Sequence, residues 1–307
     1  MFKSTRKTTT MLVSLLLVLL IALTGCGGSG ANPDSEETPE SAAKQGPKVV
    51  TMAIVSNWDS LIPHDTTSSY SDVIINQIFD KLAIIRSDGT FAPRLADTWE
   101  MNEDSTVFTF KLNENAKWHD GKPVTANDVV FTAQVMSNAD VPAARRSTRY
   151  FTGTDDSGIE ISAGSIGVEA VDEKTVAFNL KSPMDPSYFL AIFNRDFYII
   201  PEHVFEGVEM ADINKNEFWQ KPTVGSGPCK FDNVITGERV ELTANENYYL
   251  GKPDFDRLVI KVVGAQNLLS GLISGDIDII SEGSISLQDW DMAQAQENLV
   301  TASIPSL

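Results

Sequence analysis

The stretch Asn57 to Tyr70 is the strongest candidate for ligand binding in this chain. It carries Asn57, Trp58, Asp59, Asp65, Thr66, Thr67, Ser68, Ser69 and Tyr70. It follows the apolar run Val49–Val55, which reads as a buried strand, and ligands in open sheets gather beyond the C-terminal ends of strands. Hydroxyls, an amide and a tyrosine suit the backbone of a peptide or a small polar molecule. The competing reading is a polar surface loop in which Ser69 and Ser71 cap a helix. A second candidate is the island Arg145, Arg146, Arg149 and Tyr150. There Arg149 could grip a ligand carboxylate through two parallel hydrogen bonds, and a solvated loop fits equally well.

Covalent and metal chemistry find no comparable footing. No serine stands in a G-x-S-x-G turn and no H-E-x-x-H occurs. Gly121-Lys122 and Gly251-Lys252 are each followed by proline, so neither is a phosphate-binding loop. The three histidines, His64, His119 and His203, are far apart in sequence. His64 reads more simply as a solvated loop histidine than as a ligand contact, and His119 as a partly exposed loop residue before a helix. Cys229 reads as a small buried hydrophobe, and Trp99 and Trp118 as core. The expectation is a protein without catalytic residues, metal ligands or cofactor. A secreted hydrolase is the contrasting class, and it lacks a nucleophile–base pair.

The elements that must position these residues are mixed. Ser71 to Leu82 carries Ile74, Ile75, Ile78, Phe79 and Leu82 at helical spacing. Thr106 to Leu112 alternates as a strand, with Phe108, Phe110 and Leu112 on one face. Thr125 with Asp128 resembles a capping box opening a second helix. Val168 to Leu180 reads as a hairpin around Asp172–Lys174. Arg239–Thr243, Leu258–Val263 and Ile277–Ile280 read as strands, the last preceded by a short helix, Leu268–Ile273. Helices and strands alternate without a regular βαβ period, so the fold class is α/β of the mixed, α+β kind. The chain of 307 residues carries 42 acidic and 24 basic side chains, a formal charge of −18. Such a chain is repelled by phosphate backbones, which argues against nucleic-acid partners.

Residues 1–25 form a separate unit. Lys3, Arg6 and Lys7 precede an apolar run from Met11 to Leu23, too short to span a bilayer and suited to a secretory signal. The run ends in Leu23-Thr24-Gly25-Cys26, which resembles a bacterial lipobox, with Cys26 as the lipidated residue. Loss of the leader removes three positive charges and leaves the mature chain at −21. Residues 26–47 are rich in Gly, Ser, Pro, Glu and Ala and read as a flexible tether. These features predict an extracytoplasmic protein held at the cell membrane by its lipid.

Several segments carry a family resemblance. Leu95-Ala96-Asp97-Thr98-Trp99-Glu100 is followed by Phe108-Thr109-Phe110-Lys111-Leu112 and then by Ala116-Lys117-Trp118-His119-Asp120-Gly121-Lys122-Pro123-Val124-Thr125-Ala126-Asn127-Asp128-Val129. Val224-Gly225-Ser226-Gly227-Pro228, Asn245-Glu246-Asn247-Tyr248-Tyr249-Leu250-Gly251-Lys252-Pro253 and Leu272-Ile273-Ser274-Gly275-Asp276-Ile277-Asp278 follow in order. Together they resemble family 5 of the extracytoplasmic solute-binding proteins, the peptide and nickel binding lipoproteins of ABC importers. One departure is Cys229, which stands where the family usually has an aromatic.

The resemblance implies a type II periplasmic-binding-protein fold. Its first lobe would be discontinuous, at 48–82 and 187–264, with a smaller domain inserted at 83–186. A second lobe would begin at 265–307 and remain mostly missing, since family members are usually much longer. The expectation is therefore a truncated product that binds peptides weakly or not at all. The resemblance also makes Asn57–Tyr70 a wall of the ligand cleft, with Asn57, Trp58, Asp65, Ser68, Ser69 and Tyr70 as ligand-binding residues and Arg149 as an outlying one. It implies capture of oligopeptides by a monomer and their delivery to a membrane permease. Nickel, haem or sugar ligands, and a surface sensory role, are the alternatives.

Overall fold

The computed structural model describes residues 46–282 and 285–301. The leader, Cys26 and nearly all of the tether lie outside the described residues. The first strand, β1 (Val49–Ile54), comes from the expected apolar run, and its end, Ala53 and Ile54, is fully buried. A loop then leads into α1 (Ser69–Ile78), whose Ile74, Ile75 and Ile78 are fully buried. The helix opens two residues earlier than the sequence reading placed it. The residue preceding it is Ser68, and the Ser71 hydroxyl is committed to the loop instead of capping the helix.

A short hairpin follows, β2 (Ala83–Ile85) and β3 (Phe91–Pro93), then β4 (Ala96–Met101) and β5 (Val107–Leu112). The alternation in β5 buries Phe108, Phe110 and Leu112 completely, as expected. Helix α2 (Ala126–Ser137) starts at the capping box: the Thr125 amide donates to Asp128 Oδ2 at 2.8 Å. The hairpin β6 (Val168–Ala170) and β7 (Thr175–Asn179) forms around the expected turn. Helix α3 (Pro186–Asp196) has Pro at its first position and the Asp185 carboxylate accepting from the Ser187 and Tyr188 amides. After it come β8 (Cys229–Ile235), β9 (Arg239–Ala244) and β10 (Arg257–Val262). The described chain closes with α4 (Leu268–Ser274), β11 (Ile279–Glu282) and α5 (Leu287–Gln294).

These strands make two main sheets. In the first, of order β11-β1-β10-β9-β8, β1 lies parallel to both β10 and β11 while β8, β9 and β10 run antiparallel. Residues 268–282, expected to open a second lobe, thus contribute α4 and a strand beside β1. The core against this sheet joins α1 to Val240, Leu242, Leu258 and Ile260 and includes the buried Cys229.

The second sheet, β4-β5-β7-β6, is antiparallel throughout and lies wholly within residues 83–186. Helix α3 packs phenylalanines onto it. Phe189 stacks on Phe108 at 4.0 Å, and Phe193 packs edge-on against Phe178 at 5.0 Å and stacks on Phe197 at 4.3 Å. Trp118 is buried in this core and Trp99 is packed against it, in line with the sequence reading. Such ring pairs add roughly 0.5–1.5 kcal/mol each beyond their area.

Candidate functional site

The loop between β1 and α1 has a fixed shape because Asp59 folds it around its own carboxylate. Asp59 Oδ1 accepts from the hydroxyls of Ser71 at 2.5 Å and Thr66 at 2.7 Å and from the Ser60 amide at 2.8 Å. The Ser71 oxygen in turn accepts the Asp59 amide at 3.1 Å. Burial pushes the Asp59 carboxyl up, but the Ser71 and Thr66 hydroxyls with the Thr67 and Ser60 amides outweigh it and hold it below the usual carboxylate range.

A second anchor is His64, which sequence reasoning placed in solvent. It is 1% exposed, because the loop turns inward at this point and the ring meets Trp219 edge-on at 5.7 Å. Its Nε2–H donates to Asn214 Oδ1 at 2.7 Å, and its carbonyl accepts the Ala144 amide at 2.7 Å. Burial lowers its pKa to about 4, against the opposing pull of Asn214 and with a further push from Arg145. The Asn214 amide also donates to Asp65 Oδ2 at 3.1 Å and to the Pro142 carbonyl at 2.8 Å. One side chain therefore ties its own helical turn, Met210–Lys215, to two loops. Burial raises the Asp65 carboxyl, a shift that Asn214 opposes.

The expected ligand-binding residues sit as follows. Asn57 and Ser69 are exposed. Trp58 and Tyr70 are half-buried, their rings packed against the core beneath the five-stranded sheet. Asp65 and Ser68 are half-buried, and the Ser68 amide donates to Thr66 Oγ1 at 3.1 Å. These six belong to one loop and the first turn of α1. Arg149 is elsewhere: it is exposed, on the single helical turn Thr148–Tyr150, and among the described residues it makes no hydrogen bond to this loop.

The basic island divides. Arg145 turns inward and its Nη2 donates to the Asn138 carbonyl, at the end of α2, at 2.6 Å. Arg149 faces water. Asn214 and Trp219 escaped the sequence reading, since their partner His64 lies 150 residues from Asn214 and nothing local marks the pairing.

The comparisons with known proteins agree with this architecture. Residues 90–307 match the family model described as bacterial extracellular solute-binding proteins, family 5 Middle. The oligopeptide-binding protein AppA of Bacillus subtilis is 30% identical over 297 residues, covering 96% of this chain and 51% of the relative. The structure of AppA from Bacillus subtilis in complex with a nonapeptide superposes with a TM-score of 0.69 at 27% identity, covering 81% of this chain and 47% of that one. NikZ from Campylobacter jejuni in complex with Ni(L-His) gives a TM-score of 0.65 at 26% identity, covering 82% and 46%. The chain thus spans about half the length of these relatives. The fold is of the mixed α/β, type II binding-protein kind that the sequence predicts. This chain belongs to family 5 of the bacterial extracellular solute-binding proteins.

Proposed function

We propose that this chain is the ligand-capturing component of a bacterial ABC importer, that its ligands are oligopeptides, and that the loop Asn57–Tyr70 forms one wall of the peptide site. The observation that carries the reading is the hydrogen-bond network that shapes this loop. Asp59, His64 and Asn214 fix its path before any ligand arrives, so a partner pays little ordering entropy on binding. Asn57, Trp58, Asp65, Ser68, Ser69 and Tyr70 then present amide, hydroxyl, carboxylate and ring to an extended backbone. Arg149 would meet a ligand carboxylate outside the loop. The similarity to AppA, whose structure holds a nonapeptide, favours peptides over the nickel chelate carried by NikZ.

The wider reading is a monomer without cofactor or catalytic step, held to the outer face of the cell membrane through a lipid on Cys26 and the tether 26–47. Closure of two lobes over the peptide would create the form the permease accepts, driven by the ligand's higher affinity for the closed state. A photoreactive hexapeptide incubated with the purified chain tests the peptide assignment. Cross-links concentrated within residues 57–70 and competed by unlabelled peptide support it. Scattered cross-links, or competition by a nickel–histidine chelate and not by peptide, overturn it.

A further inference from the structure

A cleft of about 380 Å3 opens at the far end of α1 from the loop. The helix has 10 residues, which separates the two places by about 15 Å. The cleft has the size of a small-molecule site, and its walls are sorted by chemistry. Ile84 and Ile85, consecutive residues of β2 with side chains on opposite faces, border it along the strand. Asp80 and Arg94 supply opposite charges, and Lys81 and Asn194 close the rim.

The two charges stop short of each other. Among the described residues Asp80 and Arg94 form no direct ion pair; the Tyr248 hydroxyl stands between them. It accepts from Arg94 Nη1 at 2.7 Å and donates to Asp80 Oδ2 at 2.7 Å. Tyr249 donates to the same Oδ2 at 2.8 Å, which leaves Asp80 Oδ1 without a protein donor among the described residues. Arg94 has five N–H donors and spends one in this network. Lys81 is already used: its ammonium donates to the Asn194 carbonyl at 2.6 Å and lies 4.0 Å over the Tyr198 ring. Asp80 is only 5% exposed, and burial raises its carboxyl against the pull of Arg94 and the two tyrosine hydroxyls, so it is a positioned group and not a mobile surface one.

We infer that this cleft is a second ligand site, for a free α-amino acid with an apolar side chain. The carboxylate would take the unused donors of Arg94, the ammonium would face Asp80 Oδ1, and the side chain would lie along β2. An α-amino acid holds its ammonium and carboxylate on one Cα, close enough to address Arg94 and Asp80 on either side of the Tyr248 hydroxyl. The termini of a peptide are spaced further apart. The site is independent of the peptide reading, since it shares no residue with the loop Asn57–Tyr70.

Isoleucine-methyl NMR on the full chain, titrated with L-leucine, tests it. Saturable shifts at the Ile84 and Ile85 methyls are expected, at least tenfold weaker with leucinamide, which lacks the carboxylate, and with isocaproate, which lacks the amine. Ile85 is 41% exposed, so Ile85→Trp fills the cleft from its open side; it should abolish the response while the buried Ile74 and Ile78 methyls keep their positions. Absence of saturable shifts at Ile84 and Ile85, equal responses to all three compounds, or a response that survives Ile85→Trp overturns the assignment.

Discussion

His119 Nε2–H donates to the Gly227 carbonyl at 3.0 Å while its Nδ1 accepts the Gly225 amide at 3.1 Å. One neutral imidazole therefore joins the Trp118-His119-Asp120-Gly121 segment to the glycine turn 225–227, across more than a hundred residues of chain. The turn in turn closes on α1: the Gly227 amide donates to the Ile78 carbonyl at 2.8 Å, and Ser226 Oγ accepts the Asp80 amide at 3.1 Å. Replacing His119 with Phe leaves the Gly225 amide without its acceptor, while the Gly227 carbonyl keeps the Asn245 side-chain amide as donor at 3.2 Å. Chemical denaturation should show a loss of about 1–3 kcal/mol, the cost of one buried group left unpaired.

The glycine turn has no room for side chains. A Cβ on Gly227 would stand 2.6 Å from the Gln77 carbonyl oxygen, and one on Gly225 would overlap the Ile78 carbonyl. Both obstacles are backbone. Gly225→Ala and Gly227→Ala should each destabilise the chain by more than about 2 kcal/mol, by displacement of the end of α1. A thermal-melt shift of under a degree would show that the turn yields.

Acid should unfold this protein through two histidines. His64 and His119 are each lowered by burial to about 4, from an ordinary 6.5. A group depressed in the folded state binds its proton more readily when unfolded, so its stabilisation is complete above pH 6.5 and is lost as pH falls toward 4. Each shift is worth on the order of 3 kcal/mol. Asp196, pushed up to about 6 by burial, runs the other way and offsets part of this loss below pH 6. Unfolding free energies measured from pH 7.5 down to 4 should therefore show a net decline, and His64→Gln should remove one histidine's share of it.

Asp59 holds the loop through four groups. Asp59→Ala should leave the Ser71 and Thr66 hydroxyls without their acceptor and cost about 1–3 kcal/mol. Hydrogen exchange should speed up at the amides of residues 60–68 and remain unchanged at β5 and β7. If exchange rises equally in both places, Asp59 supports the whole molecule and not the loop.

Parts of this fold can be read from the sequence because their signals are local. β5 alternates, α2 opens on a capping box, and β1 is a run of apolar residues with its neighbours on both sides in the sheet. The start of α1 was misread because Ser68, Ser69 and Ser71 all resemble caps, and only the position of Asp59 twelve residues before Ser71 decides which hydroxyl is otherwise engaged. Helix α3 carried a legible Asp185-Pro186 opening that its aromatic run obscured. His64 could not be placed from sequence, since burial of an imidazole depends on a partner that chain distance conceals. The charges around the Asp80 cleft were equally silent: the cleft exists only where α1, β2 and the Tyr248 loop meet.

The position of β1 governs how the protein can be made. Its register partners are Arg257–Val262 on one side and residues from Ile279 on the other. The first strand among the described residues thus has no place to pair until more than two hundred residues have followed it. At roughly 5–20 residues per second that interval is on the order of ten seconds or more. The four-stranded sheet, whose strands all lie between Ala96 and Asn179, faces a shorter wait. The five-stranded sheet therefore closes last, on a chain whose other sheet has already had its strands to hand.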